Sequence, residues 1–149
     1  MKKIFIYYTL SGNGDLVAEK LKGKNITTRK IEIEDELPQN KFLRILTGGF
    51  LAGINHKSKL KNFDTNIDKY NEIIIGSPIW NGRLSCPINS VLDELNLKDK
   101  KLTFILYSGS GKSPKAINKI NTLYNNPNII ELKEPKKNKE ELKEKLKDI

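Results

Sequence analysis

One cysteine, Cys86, and one histidine, His56, are all that 149 residues contain of either type. A lone cysteine excludes an intrachain disulfide and a thiolate metal cluster. With His56 as the only histidine, neither a histidine-based metal centre nor a Ser-His-Asp triad is expected. No apolar run approaches the ~20 residues that cross a bilayer, and Met1-Lys2-Lys3 leads into a short strand pattern rather than a leader. Aromatic residues make up only 7% of the chain and do not interleave with its basic clusters, so no platform for stacking single-stranded nucleic acid is visible. The side chains alone offer little chemistry, and any reaction is expected to borrow its reactive group from a cofactor. Length and these absences together predict a single cytoplasmic domain over residues 1–149, acting as a monomer.

Positive charge is plentiful. The formal net charge is +9, supplied mostly by lysine, a balance that attracts nucleic acid, anionic lipid or acidic protein. Lysine, asparagine and isoleucine are all abundant together, which reads as a compositional bias, and no specific nucleic-acid site is expected.

Strand and helix patterns alternate along the chain. Ile4 to Tyr8 is an apolar run of strand length, and Leu16, Val17 and Leu21 then recur at helical spacing. Ile26 to Ile33 reads as a second strand, stopped by Asp35-Glu36-Leu37-Pro38. Phe42, Leu43, Ile45 and Leu46 suggest a helix within Lys41 to Leu60, broken at Gly48-Gly49. Tyr70 to Ile75 is a third strand, and its continuously apolar Ile73-Ile74-Ile75 suits a central parallel position. A helix from Pro87 to Leu95, a strand from Leu102 to Tyr107 and a helix from Pro114 to Tyr124 follow, the last with Ile117, Ile120 and Leu123 on one face. Asn128 to Leu132 is the fifth strand, and from Lys136 a charged helix carries Leu142, Leu146 and Ile149 as its stripe. Five strands alternating with helices predict an α/β doubly wound parallel sheet with helices on both faces and order 2-1-3-4-5. A ligand then belongs at the carboxyl ends of strands 1 and 3, where the order reverses.

Three loops rich in glycine and hydroxyls converge on that edge. In Thr9-Leu10-Ser11-Gly12-Asn13-Gly14, the glycines let the backbone approach a ligand, Thr9 and Ser11 offer hydroxyls, and the following helix presents unpartnered N–H groups and its positive dipole end. That combination suits a phosphate. A dinucleotide fingerprint would need a third glycine where Val17 stands. The second loop, Gly76 to Gly82, holds the only tryptophan, Trp80, as a large flat surface just past a strand end. The third, Ser108-Gly109-Ser110-Gly111-Lys112-Ser113, ends like a Walker A loop, yet Leu106 occupies the position where that pattern needs its first glycine.

Thr9, Ser11 and Gly12 fit the hydroxyl-x-hydroxyl-Gly-x-hydroxyl loop of the flavodoxin family, and Ser77-Pro78-Ile79-Trp80-Asn81-Gly82 resembles that family's Ser/Thr-Pro-x-Trp/Tyr-x-Gly loop. The resemblance covers nearly the whole chain in element order and implies non-covalent FMN. It would place the phosphate at Thr9, Leu10, Ser11, Gly12, Asn13 and Gly14, and the isoalloxazine ring beside Pro78, Ile79, Trp80, Asn81 and Gly82. The pyrimidine edge would meet Ser108, Gly109, Ser110 and Gly111. Two departures stand out: Gly14 lacks the last hydroxyl of the phosphate loop, and the surface is basic where flavodoxins are usually acidic. A Gly14→Thr change is expected to restore that hydroxyl if the backbone there has a negative φ. With no acid in the ring-side loops and Lys112 nearby, Lys112 is expected to ease the final reduction of the flavin. The function implied is an electron shuttle between redox partner proteins, acidic ones by charge. An FMN-dependent NAD(P)H:quinone-type reductase, or a protein of this fold with weak or lost flavin binding, remains open beside it.

Overall fold

The computed structural model describes residues 1–34, 40, 43, 47, 50, 51 and 56–149. The break at Asp35-Glu36-Leu37-Pro38, and Phe42, Ile45, Leu46 and Gly48-Gly49 of the expected glycine-broken helix, lie outside them. In chain order the elements are β1 (Lys3–Tyr7), α1 (Asn13–Lys22), β2 (Thr27–Lys30), β3 (Glu72–Trp80), β4 (Arg83–Leu84), α2 (Cys86–Glu94), β5 (Lys101–Ser108), α3 (Pro114–Leu123), β6 (Asn128–Lys133) and α4 (Lys139–Lys145). Among the described residues no helix is long and apolar enough to cross a membrane.

The sheet runs β2-β1-β3-β5-β6, all parallel, with the short β4 folded back antiparallel on β3. This is the flavodoxin-like order expected from the alternation of patterns. Successive side chains leave a strand on opposite faces, so each central strand feeds two cores. Ile4, Ile6, Ile73, Ile75, Phe104 and Leu106 meet Ile88 and Val91 of α2 and Ala116 and Ile120 of α3. Phe5, Tyr7, Ile74, Ile105 and Tyr107 meet Val17 and Leu21 of α1 and Leu142 of α4 on the other face. On α3 the apolar stripe differs from the expected one, for Leu123 stands exposed. Tyr124 packs against Phe104 instead, with ring centroids 5.6 Å apart, and covers that end of the core.

Two strand limits also differ. β2 is shorter than Ile26 to Ile33, and Ile33 pairs separately with Leu60. β3 is longer than Tyr70 to Ile75, running on through Ser77-Pro78-Ile79 to Trp80. Pairing with β1 stops at Gly76, so beyond it that side of β3 has no parallel neighbour. A proline without its N–H is tolerated in such an edge setting.

At the amino edge, Lys3, Glu72 and Lys101 stand side by side on β1, β3 and β5. Glu72 is buried, takes the Thr103 hydroxyl at 2.9 Å, and faces Lys3 at 3.4 Å and Lys101 at 3.3 Å. Burial pushes its carboxyl up, but the Thr103 hydroxyl and the two ammonium groups outweigh it, and the pKa lies below the ordinary value.

Candidate functional site

At the carboxyl edge the loops after β1, β3 and β5 wall a cleft of about 730 Å³, within the size range of small-molecule sites. The loop after β1 shapes itself. Thr9 Oγ1 accepts the backbone N–H of Gly12 (3.1 Å) and of Gly14 (3.0 Å), folding the chain back before α1 starts at Asn13. Gly12 sits at φ +86°, where a side chain would be strained. The backbone N–H groups of Ser11 and Asn13 have no acceptor among the described residues. Leu10, Ser11 and Asn13 line the cleft, whereas Thr9, Gly12 and Gly14 support it from behind.

Gly14 overturns one expectation. Its φ is not positive, but a Cβ there would lie 2.6 Å from Tyr107 Oη, 2.9 Å from Thr9 Cβ and 3.0 Å from Tyr7 Cδ2. The position is glycine because the loop closes down on two tyrosines, and a threonine cannot be added without displacing them. The Tyr107 hydroxyl donates to the Tyr8 carbonyl, and the Tyr7 hydroxyl donates to Asp15 Oδ1 at 3.0 Å, which Lys30 also holds at 2.8 Å. Burial first, then the hydrogen bond and charge of Asp15, push the Tyr7 phenol up to about 12. Burial and the neighbouring Tyr7 and Asp15 raise Tyr107 as well.

The second loop is a hairpin tip. Asn81 (φ 51°) and Gly82 (φ 73°) both take positive φ, the requirement of the two-residue turn whose twist suits flanking strands. Trp80 is therefore the last residue of β3 rather than part of a loose loop. It is half-buried, meets Tyr8 edge-to-face at 5.9 Å between centroids, and pairs with Arg83 across the turn. Ser77 anchors the far strand by accepting the Ser85 N–H at 3.1 Å. Pro78, Ile79, Trp80 and Asn81 line the cleft, and Gly82 faces Lys115 instead.

In the third loop Ser108 and Gly109 line the cleft, and a Cβ on Gly109 would meet nothing within 4 Å. Ser110 and Gly111 lie outside the lining. Gly111 donates to Ser108 Oγ at 2.9 Å and packs against Lys133, while Ser110 exchanges hydrogen bonds with the Lys112 backbone. Ser113 is buried with its hydroxyl on Glu131 at 2.7 Å. The Walker-like tail thus buries its serine in the fold, and its exposed lysine is not part of the cleft lining.

A fourth wall was missed in the sequence. The segment from Glu134 to Lys136, read as leading into the last helix, is a strap across the site, and α4 begins only at Lys139. Glu134 donates its N–H to the Ser108 carbonyl (3.0 Å), and Lys136 donates its own to Asn13 Oδ1 (3.0 Å). Glu134, Lys136 and Tyr107 line the cleft. The cleft therefore does contain an acid, and Lys112, expected beside it, is not among its walls. The Glu134 carboxyl is held below its ordinary pKa by the hydrogen bond from Lys137, which outweighs desolvation, and the charges of Lys137 and Lys133 add to it. Pro135, a sharp stop after β6, was the one signal in the sequence that a loop rather than a helix follows.

Residues 13–144 match the profile of a family described as NADPH-dependent FMN reductase. The chain belongs to that family. Solved structures similar to this FMN reductase family member include a flavoprotein from Bacteroides eggerthii (20% identity, TM-score 0.71, covering 91% of this chain and 92% of that one). Another is a flavoprotein in complex with FMN from Lactobacillus acidophilus (20% identity, TM-score 0.67, 93% and 97% covered). A third, from Bacteroides uniformis, is 21% identical with a TM-score of 0.67, covering 86% and 85%. At such identities the likeness concerns the fold. No curated protein matches the chain.

Proposed function

We propose that the cleft holds FMN, with the phosphate on the loop from Thr9 to Gly14, the ring beside Trp80 and the pyrimidine edge at Ser108 and Gly109. The observation that carries this is the convergence, at one switch point, of donors with no partner, a held aromatic surface and an open glycine. The residues fit the group: Ser11 and Asn13 offer free N–H groups at a helix start, and the bare Gly109 leaves room for a flat edge. Family membership supports the same cofactor. FMN when bound supplies reversible one- and two-electron chemistry. The chain's part is to orient it. The turn at Asn81-Gly82 and the Tyr8 contact fix the Trp80 plane, while Thr9 fixes the phosphate loop before any ligand arrives, so little order remains to be imposed on binding.

The protein then carries electrons between partner proteins that dock over the cleft. Exposed Lys136 borders the cleft and exposed Lys115 lies beside Gly82 at the hairpin tip, which suits acidic partners and association that slows as salt rises. A second reading, reduction of the bound flavin by a nicotinamide, is favoured by the family's description. Rapid mixing of the FMN-loaded protein with NADPH separates the two. A shuttle leaves the flavin absorbance unchanged for many seconds while a one-electron donor bleaches it. Bleaching by NADPH within a turnover time would replace the shuttle by the reductase. Purified protein that takes up no FMN would overturn both.

A further inference from the structure

Lys136 stands where electrostatics alone would not put a cation. Its Nζ donates to the Ser11 carbonyl at 3.1 Å and lies 3.7 Å from where a Cβ on Gly12 would be. That is the amino end of α1, whose dipole disfavours positive charge. Neighbouring lysines are neutralised, Lys137 by Glu134, Lys145 by Glu141 and Lys147 by Glu144. Lys136 has no carboxylate partner among the described residues. Asp15 is held through Oδ1 by Lys30 at 2.8 Å and Tyr7 at 3.0 Å; its Oδ2 lies 4.0 Å from that same point beside Gly12 but forms no ion pair with Lys136. Nor is the placement loose, because Pro135 fixes the strap and the Lys136 backbone is tied to Asn13 Oδ1. The side chain borders both the main cleft and a second hollow of about 350 Å³ on the far side of Gly12.

An ammonium with two donors still unused, the N–H groups of Ser11 and Asn13, unpartnered among the described residues, and a helix start all border the same cleft. What this arrangement lacks is an anion. We propose that Lys136 is a direct ligand of the flavin's phosphate, and that it sets the preference of this chain for the phosphorylated flavin over riboflavin. The inference rests on the flavin reading of the cleft. Gly14 has no space for the hydroxyl that ends the phosphate loop elsewhere, and here a charge arriving from the strap takes over its work.

Dissociation constants for FMN and for riboflavin, measured by fluorescence titration at low salt, test this in the unaltered protein, in Lys136→Met and in Lys136→Arg. Methionine keeps an apolar stem and removes the charge. It is expected to weaken FMN about tenfold, the low end for a charge-assisted hydrogen bond at an exposed group, and to leave riboflavin unchanged. Arginine is expected to restore most of the loss. The variant should also show a shallower decline of FMN affinity with salt. Equal weakening of both flavins would reduce Lys136 to a tie that shapes the loop, and unchanged FMN affinity would remove it from the site. If the unaltered protein binds neither flavin, the cleft itself is misread and the role falls with it.

Discussion

The two ends of one sheet handle polar groups in opposite ways. At the amino edge Glu72 is buried and fully answered, by a hydroxyl and two ammonium groups drawn from three adjacent strands. At the carboxyl edge, among the described residues, two backbone donors are left without acceptors and Lys136 without a carboxylate, around a cleft where one glycine faces open space. The first end is closed and works for the fold. The second is held in shape by contacts behind it, from Thr9, Tyr7 and Tyr107, while its front is left unsatisfied. A protein of marginal stability leaves polar groups unanswered where a ligand will answer them.

Breaking the closed end should have the largest effect. Replacing Lys3 and Lys101 together by methionine leaves a buried carboxylate with only the Thr103 hydroxyl, and should cost about 3 kcal/mol in urea unfolding at pH 7, the low end for a buried charge left unpaired because the Lys101 side chain is largely exposed. Flavin affinity, at the other edge, should not change. The pH dependence should also invert. The Glu72 pKa is depressed in the folded protein, so its contribution is present above the ordinary carboxylate range and is lost as pH falls through the folded value. In the double variant that depression is gone, and acidification should recover stability.

The next largest effect is expected behind the open end. Gly14→Thr would drive a side chain into Tyr107, Thr9 and Tyr7, at a cost of about 2–3 kcal/mol for overpacking, seen as a lowered thermal midpoint. FMN should bind no more tightly. Tighter binding with unchanged stability would mean that the loop lies farther from the tyrosines than described.

In front of that wall, Trp80→Ala should weaken FMN by roughly 1–3 kcal/mol, the scale of stacking a flat heterocycle on an aromatic side chain, and FMN should quench the indole fluorescence of the unaltered protein. An unchanged dissociation constant would take Trp80 out of the comparison. The smallest effect belongs to alkaline titration. With its folded pKa raised to about 12, Tyr7 contributes stability that is complete below its unfolded value of about 10 and lost as pH rises through about 12, up to about 2 kcal/mol. In Tyr7→Phe the urea midpoint should fall less steeply over that window. Acid thus tests one edge of the sheet and alkali the other.

The sheet order and the three loops were legible in the sequence because they rest on local signals: β-branched runs, helical spacing, and glycine with hydroxyls at strand ends. What was illegible depends on distance through space. Nothing near Gly14 in the chain reveals that Tyr107 lies over it. The end of β3 was hidden because Pro78 reads as a breaker until the neighbouring strand is seen to stop at Gly76. Trp80 was recognised, but the turn that holds it needs both Asn81 and Gly82 at positive φ, and Asn-Gly with strand on each side is a hairpin signal that the short partner Arg83-Leu84 concealed. Lys136 and Glu134 were missed because a lysine-rich run looks like the start of a solvated helix.

The strap from Glu134 to Lys136 also bears on how the molecule is made. It closes a site whose first wall, Thr9 to Gly14, lies more than a hundred residues earlier in the chain. At translation rates of ~5–20 residues per second, the ribosome completes the phosphate loop on the order of ten seconds before it reaches the strap. A nascent chain in that interval has the residues of β1, α1 and the Thr9 turn but not Lys136, and α1 alone is too short to be stable in water. If the cleft holds FMN as proposed, its capture waits until the sheet has all its strands, and a chain truncated before β6 lacks one wall of the cleft.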